Sequence, residues 1–208
     1  MTVGLREQHK QRTRAAISAA ATKLFAERGF DQVTITHVAE AAGVAKMTVT
    51  NYFPRKEDLV FDQADAAISQ LARAIASRPD GESYLAAVRR DYLAELARED
   101  GTTGVTSARF AAMLQHTPAL ASRGAEIAYA REQALGDAIA AAEGTDSPEL
   151  RLVAAQLAAA HRVLFAEAAR RSLAGEPLTR IRAALGQAAE RVFDLLEPSI
   201  GTYGAGRR

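Results

Sequence analysis

Apolar side chains recur along this chain with a period near 3.6 residues, and breakers divide the pattern into about nine helices. Ile17, Ala20, Ala21, Leu24 and Phe25 share one face of a helix over 13–28, with Thr13 as its N-cap and Gly29 as its stop. After a short linker, Thr34 or Thr36 caps a second helix that buries Val38 and one of Ala41 and Ala42. Gly43-Val44-Ala45 then forms a three-residue turn in which glycine supplies positive φ and an apolar residue plugs the angle between two crossing helices. A third helix runs from about Ala45 to Tyr52, Pro54 stops it, and a long fourth is expected over 56–77.

Further breakers lie at Pro79-Asp80-Gly81, Asp100 to Gly104, Thr117-Pro118, Gly144 to Pro148, Gly175-Glu176-Pro177 and from Pro198 onward. Between them, 83–99 repeats Leu85, Val88, Tyr92 and Leu96, 107–116 is short, and 119–143 is long but carries Gly124 and Gly136. Ser147-Pro148-Glu149 opens a helix over about 148–174 that buries Leu150, Val153, Leu157, Ala160, Leu164 and Ala168. The last helix, about 178–197, buries Ile181, Leu185, Ala188, Val192, Leu195 and Leu196. The resulting expectation is an all-α chain in three parts: an N-terminal arm and three-helix motif over 1–55, a helical bundle over 56–198 and a disordered tail over 199–208.

Composition sharpens this picture. Alanine occurs 47 times in 208 residues, which favours helix over a sheet sandwich. There is no cysteine, which excludes a disulfide framework and a thiolate metal site. No run of 18 residues is both apolar and free of charge, and the N-terminus carries no secretory h-region, so a cytoplasmic protein without a membrane span is expected. The net charge of +1 hides an asymmetry: residues 1–56 hold nine Lys and Arg against four Asp and Glu, while the remainder holds seventeen against twenty-one. A basic third ahead of an acidic body suits a module that faces a polyanion joined to one that does not.

A helix-turn-helix reads DNA by laying its second helix in the major groove while flanking groups hold phosphates. Lys46, Met47, Thr48, Thr50, Asn51 and Tyr52 form the outward face of the third helix, with Val49 and Phe53 inward. Lys46 suits guanine O6 or N7; Thr48 and Thr50 suit phosphate or a thymine methyl; Tyr52 and Lys56 suit phosphate. Thr34 and Thr36 add donors at the start of the second helix. Arg6, Lys10 and Arg12 form a flexible basic arm. From these residues alone, a plain helical hairpin with Gly43 as a C-cap is the alternative.

The stretch TRAAISAAATKLFAERGFDQVTITHVAEAAGVAKMTVTNYFPRKEDL, residues 13–59, resembles the DNA-binding region of the TetR family of bacterial regulators. The resemblance rests on the ridge of the first helix, Gly29-Phe30, Thr34, Val38-Ala39, Ala42-Gly43-Val44, Thr48, Tyr52-Phe53 and Lys56 to Leu59. Met47 replaces a residue that is often small there, and Thr50 stands where many members carry tyrosine. The resemblance implies a C-terminal ligand-binding and dimerisation domain, a homodimer through the helices at about 148–174 and 178–197, a palindromic or pseudo-palindromic operator, and a small-molecule effector with no cofactor. Small residues at Ala154, Ala155, Ala158, Ala159, Ala183, Ala184, Gly186 and Ala189 permit close helix approach independently.

Pocket candidates are Tyr92, Phe110, Met113, His116, Tyr129, His161 and Phe165, polar or aromatic groups on mostly apolar stripes that also read as ordinary core or surface. The expected function is a DNA-binding transcriptional regulator, a repressor released by its ligand. An activator or ligand-independent regulator of the same fold, and a helical scaffold, are alternatives. Nucleotide loop, nucleophile elbow and H-E-x-x-H motifs are all missing, and His9, His37, His116 and His161 are scattered, so catalysis is not expected.

Overall fold

A computed structural model describes residues 4–98 and 103–206. The turn expected at Asp100-Gly101-Thr102 and the last two residues of the tail, Arg207 and Arg208, lie outside the described residues. Within them the fold is all-α, with nine α-helices: α1 (Leu5–Arg28), α2 (Ile35–Ala42), α3 (Lys46–Tyr52), α4 (Ala64–Ala76), α5 (Tyr84–Ala97), α6 (Ala108–His116), α7 (Pro118–Glu143), α8 (Pro148–Leu173) and α9 (Leu178–Ile200). They form two compact units, one comprising residues up to Ala64 with Met113–Arg123, the other Asp65–Ala112 with Gly124–Arg208.

Local chemistry explains where the helices depart from the sequence pattern. α1 begins at Gly4 rather than Thr13, because residues 6–12 are mostly good helix formers and the Thr13 hydroxyl donates back to the His9 carbonyl at 3.0 Å. Arg6, Lys10 and Arg12 thus stand on helix and do not form a flexible arm. The long fourth helix is split into a 3₁₀ turn, Glu57–Leu59, and α4. Leu59 is buried in that turn, and the Asp58 carboxylate accepts from the Arg55 amide at 3.1 Å and from Arg123 Nε at 2.9 Å. Gly136 leaves α7 unbroken: a Cβ there would meet Arg151 Nη1 at 2.6 Å, so the glycine makes room for a guanidinium that pairs with Asp137 and Asp146.

In the first unit, Ile17, Ala21, Leu24 and Phe25 of α1 close on Val38, Val49, Phe53, Leu59 and Leu120. In the second, α5, α8 and α9 share a core around Tyr84, Leu85, Tyr92, Leu157, Leu185 and Phe193. The expected face of α8 is buried as read, whereas α9 turns Ile181, Leu185, Ala189, Phe193 and Ile200 inward. Leu195, expected in the core, is 79% exposed. Ala154, Ala158 and Ala189 lie in the core instead of on a free face. By length and mean hydropathy, α8 is the one described helix that could cross a membrane, and 44% of its most apolar stretch is buried inside the protein. The tail expected to be loose from 199 is ordered through Gly204: α9 carries Pro198 in its last turn, and the Tyr84 amide donates to the Tyr203 carbonyl at 2.9 Å.

Candidate nucleic-acid interface and effector site

The three-helix motif is built by two caps and one turn. The Thr34 hydroxyl accepts from the His37 amide at 3.2 Å while the Thr34 amide donates to His37 Nδ1 at 3.3 Å, so each residue satisfies the other at the start of α2. At the far end Gly43 takes φ 67° and ψ 33°, and the Val44 amide closes on the Ala39 carbonyl at 3.0 Å. This turn sets α3 across α2. Val49 is fully buried and Phe53 nearly so, leaving Lys46, Met47 and Asn51 exposed and Thr48, Thr50 and Tyr52 half-buried. Thr34 and Thr36 are exposed at the start of α2, and Lys56 is half-buried.

Hydrogen bonds refine what each group can do. Thr50 donates its hydroxyl to the Met47 carbonyl at 3.0 Å, so its proton is engaged and its methyl suits a thymine better than its oxygen suits a phosphate. The Thr34 amide is engaged by His37, but its hydroxyl only accepts there and keeps a proton to donate outward. Lys56 Nζ sits 4.1 Å from the centre of the Phe30 ring, where burial lowers its pKa against the pull of Asp31 and Glu57. Lys56→Ala is expected to cost about 1 kcal/mol of stability through that ring contact, and to lower the salt slope of DNA binding by about one phosphate. Thermal melts and binding at several salt concentrations check the two effects separately.

Arg14 braces this surface, a role that its place in a generally basic segment did not reveal. Its guanidinium stacks 4.4 Å from the centre of the Phe53 ring and donates to the Tyr52 carbonyl at 3.1 Å and the Asp62 carbonyl at 2.7 Å. Ser18 donates to the Asp62 carboxylate beside it. The last turn of α3 is thereby tied to α1 and to the segment before α4.

In the second unit the structure brings together two of the seven pocket candidates. Tyr92 and His161 are both fully buried, with ring centres 5.9 Å apart and planes nearly perpendicular. Arg131 Nη1 lies 2.8 Å from His161 Nδ1, and Arg131 Nε donates to the Ala67 carbonyl at 2.8 Å. Gln70 donates to Glu95 and, at 3.3 Å, to Asp91. A cavity of about 480 Å³ opens beside them, lined by α4 and α5 through Gln70, Arg73, Ala74, Asp91 and Glu95 among others. Phe110 and Phe165 are half-buried elsewhere in this unit, Tyr129 is 65% exposed, and in the first unit His116 is exposed and Met113 packs on the core. Gln70, Glu95 and Arg131 were missed by the sequence reading; a polar group next to Leu71 and another next to Leu96, each beside a buried apolar stripe, was the available signal. Among the described residues no three His, Asp or Glu side chains gather to hold a metal ion.

Burial first, and then the Arg131 guanidinium, pull the His161 pKa from 6.5 down to about 3. The folded protein therefore keeps His161 neutral while the unfolded chain binds a proton below pH 6.5. This contribution to stability is fully present above pH 6.5 and is lost as pH falls toward about 3, at about 1.4 kcal/mol per pH unit. Melting temperatures between pH 7 and 5 should fall more steeply for the native chain than for His161→Gln; equal slopes would contradict the burial argument.

Residues 17–62 match the family model described as bacterial regulatory proteins, tetR family. The HTH-type transcriptional regulator TcmR of Streptomyces glaucescens is 32% identical over 148 residues, which cover 69% of this chain and 66% of that protein. The matched region thus spans just under two thirds of that relative's length. Among solved structures, the SmeT–triclosan complex superposes with a TM-score of 0.61 at 15% identity, covering 94% of this chain and 95% of that one. GusR of Salmonella enterica gives 0.53 at 18% identity, covering 91% and 95%. NalD, the secondary repressor of the MexAB-OprM multidrug efflux pump in Pseudomonas aeruginosa, gives 0.52 at 20% identity, covering 92% and 95%. At such identities the superpositions speak to fold.

Proposed function

We propose that this chain, which belongs to the TetR family of bacterial regulatory proteins, is a cytoplasmic, sequence-specific DNA-binding transcriptional regulator that represses its target until a small molecule releases it. The observation that carries the reading is the α3 surface: Lys46, Met47 and Asn51 outward, Val49 and Phe53 locked inward, on the basic third of the chain. The α3 helix has only seven residues, too few to read a long site alone, and a two-fold pair reads half-sites about 34–36 Å apart.

A second copy of the chain is the partner proposed for the last two helices. Leu152, Ala155, Ala159 and Val163 form one stripe of α8, and Ala184, Ala188 and Leu195 one stripe of α9. Leu152 is 57% and Val163 55% exposed, which is unusual for large aliphatic groups at helical spacing on one face. Release follows from linkage: a ligand that prefers the dimer with misplaced α3 helices weakens DNA binding by the ratio of its two affinities.

Titration against the chain's own upstream intergenic DNA, with an unrelated duplex as competitor at two salt concentrations, tests the reading. Saturable, competitor-resistant binding supports it, and equal binding to both duplexes refutes it for that DNA. Lys46→Ala and Tyr52→Ala should each weaken operator binding by about 1–3 kcal/mol with helicity and dimer mass unchanged. Unaltered affinity in both variants would remove α3 as the reading element.

A further inference from the structure

Residues 6–12 of α1 are all exposed, and yet they are helical. Two turns of helix do not hold in water by themselves; these are fixed because they continue into a helix that is buried from Ile17 onward. The segment therefore projects from the first unit as a rigid extension. Arg14 marks the place where it leaves, with its guanidinium bound to the Tyr52 carbonyl at the end of α3 and stacked on the Phe53 ring. At about 1.5 Å per residue, Lys10 stands about 6 Å and Arg6 about 12 Å farther along the α1 axis.

Helical angle sorts the charges of this extension. At about 100° per residue, Lys10 falls in the middle of the stripe that carries Arg14, Ile17, Ala21 and Leu24, with Arg6 and Glu7 on either side of it, while Arg12 points the opposite way. Where that stripe meets protein, at Arg14 and Ile17, it closes on the end of α3 and on the core of the first unit. One and two turns earlier the same stripe lies open. The side chains of Arg6 and Lys10 have no ion pair or hydrogen bond among the described residues, not even with Glu7 beside them. Both cations are thus free for an outside anion, and Arg14 makes their stripe continuous with the α3 end of the recognition surface, where Tyr52 and Lys56 suit phosphate.

We propose that the extension of α1 is a second DNA-binding element, which lays Lys10 and Arg6 on the phosphates flanking each half-site, outside the groove that α3 enters. The inference rests on the DNA-binding reading above. Contacts of this kind carry no sequence information: they raise affinity on every duplex and fix the register of the reading helix. Glu7, on the same stripe, works against them.

Polarisation titrations of the full chain against its upstream intergenic DNA and against an unrelated duplex of equal length, at several salt concentrations, test the proposal. Lys10→Ala and Arg6→Ala should each weaken binding to both duplexes by about three- to tenfold at about 0.1 M salt and flatten the logarithmic salt slope by about one per subunit. Arg12→Ala removes the same charge from the far side of the helix, about 10 Å away and so about one Debye length at that salt, and should change either affinity by less than about twofold. Glu7→Gln should strengthen both. All four side chains are exposed, so each variant should melt and sediment as the native chain does. An Arg12→Ala loss equal to that of Lys10→Ala would reduce the effect to general charge and overturn the proposal, as would unchanged affinity in both Lys10→Ala and Arg6→Ala. A dimer lost in Lys10→Ala would make this face a protein contact and overturn it too. A native chain that binds neither duplex refutes the DNA-binding reading itself, whereas native binding that is indifferent to Lys10 and Arg6 refutes this inference alone.

Discussion

Leu185→Asp unfolds the protein. Leu185 has no exposed surface and sits where α9 crosses α5 and α8, with Ile181 and Ala189 one turn to either side. Loss of a buried leucine alone costs about 2–5 kcal/mol, and a carboxylate with no cationic partner in the core adds several more. Total stabilities of about 5–15 kcal/mol leave little or nothing after that loss. Circular dichroism at 25 °C should show lost cooperativity and a collapsed melting transition. A variant that melts within a few degrees of the native chain would mean that α9 does not use this face for its core.

Ten residues further on, the outcome reverses. Leu195→Glu leaves each subunit folded, because a side chain that is 79% exposed contributes little to its own monomer, within about 0.5 kcal/mol. In the proposed dimer across α8 and α9 the substitution buries a charge from each subunit in an apolar seam, and such placement costs several kcal/mol. The expected result is a folded monomer by sedimentation, with operator affinity reduced at least about a hundredfold because the half-sites are no longer held together. Val163→Glu on α8 should do the same. A stable dimer in both variants would move the interface elsewhere, and a dimer lost without any change in operator affinity would uncouple dimerisation from DNA reading.

The contrast between these two leucines also marks how far the sequence could be read. Periodicity and breakers located the helices, and Gly43 with its neighbours identified the turn, because these are local: a positive φ, a missing amide or an apolar stripe is set within a few residues. The outward face of α3 was legible for the same reason, since Val49 and Phe53 inward leave little choice for Lys46 and Asn51. The face of α9 was legible only in part: Ile181 and Leu185 are buried as read, but Leu195 is not. Both Val192-Leu195-Leu196 and Ala189-Phe193 satisfy helical spacing, and packing against α5 and α8 centres the core on the second, with Val192 and Leu196 partly buried at its edge and Leu195 left outside. The start of α1 and the break before α4 failed on other grounds. Thr13 is a good cap by composition but bonds backward, and the break is held partly by Arg14, a contact 48 residues distant in sequence. The buried polar contacts of the second unit escaped for want of distance information: Gln70 and Glu95, like Arg131 and His161, lie on different helices, and nothing in the spacing within one helix points to a partner on another.

Arg14 holds α3 almost entirely through groups that every sequence supplies. Two of its attachments are main-chain carbonyls, at residues 52 and 62, and the third is the face of the inward Phe53. None involves the outward side chains of residues 46–51. On the proposed reading, support and readout are therefore separable: exchanging Lys46, Met47, Thr48 or Asn51 would alter what the helix meets in the groove without disturbing what fixes it in place. If α3 reads DNA as proposed, such a surface could drift from one operator to another by single substitutions, each intermediate keeping the Arg14 attachments that hold the helix.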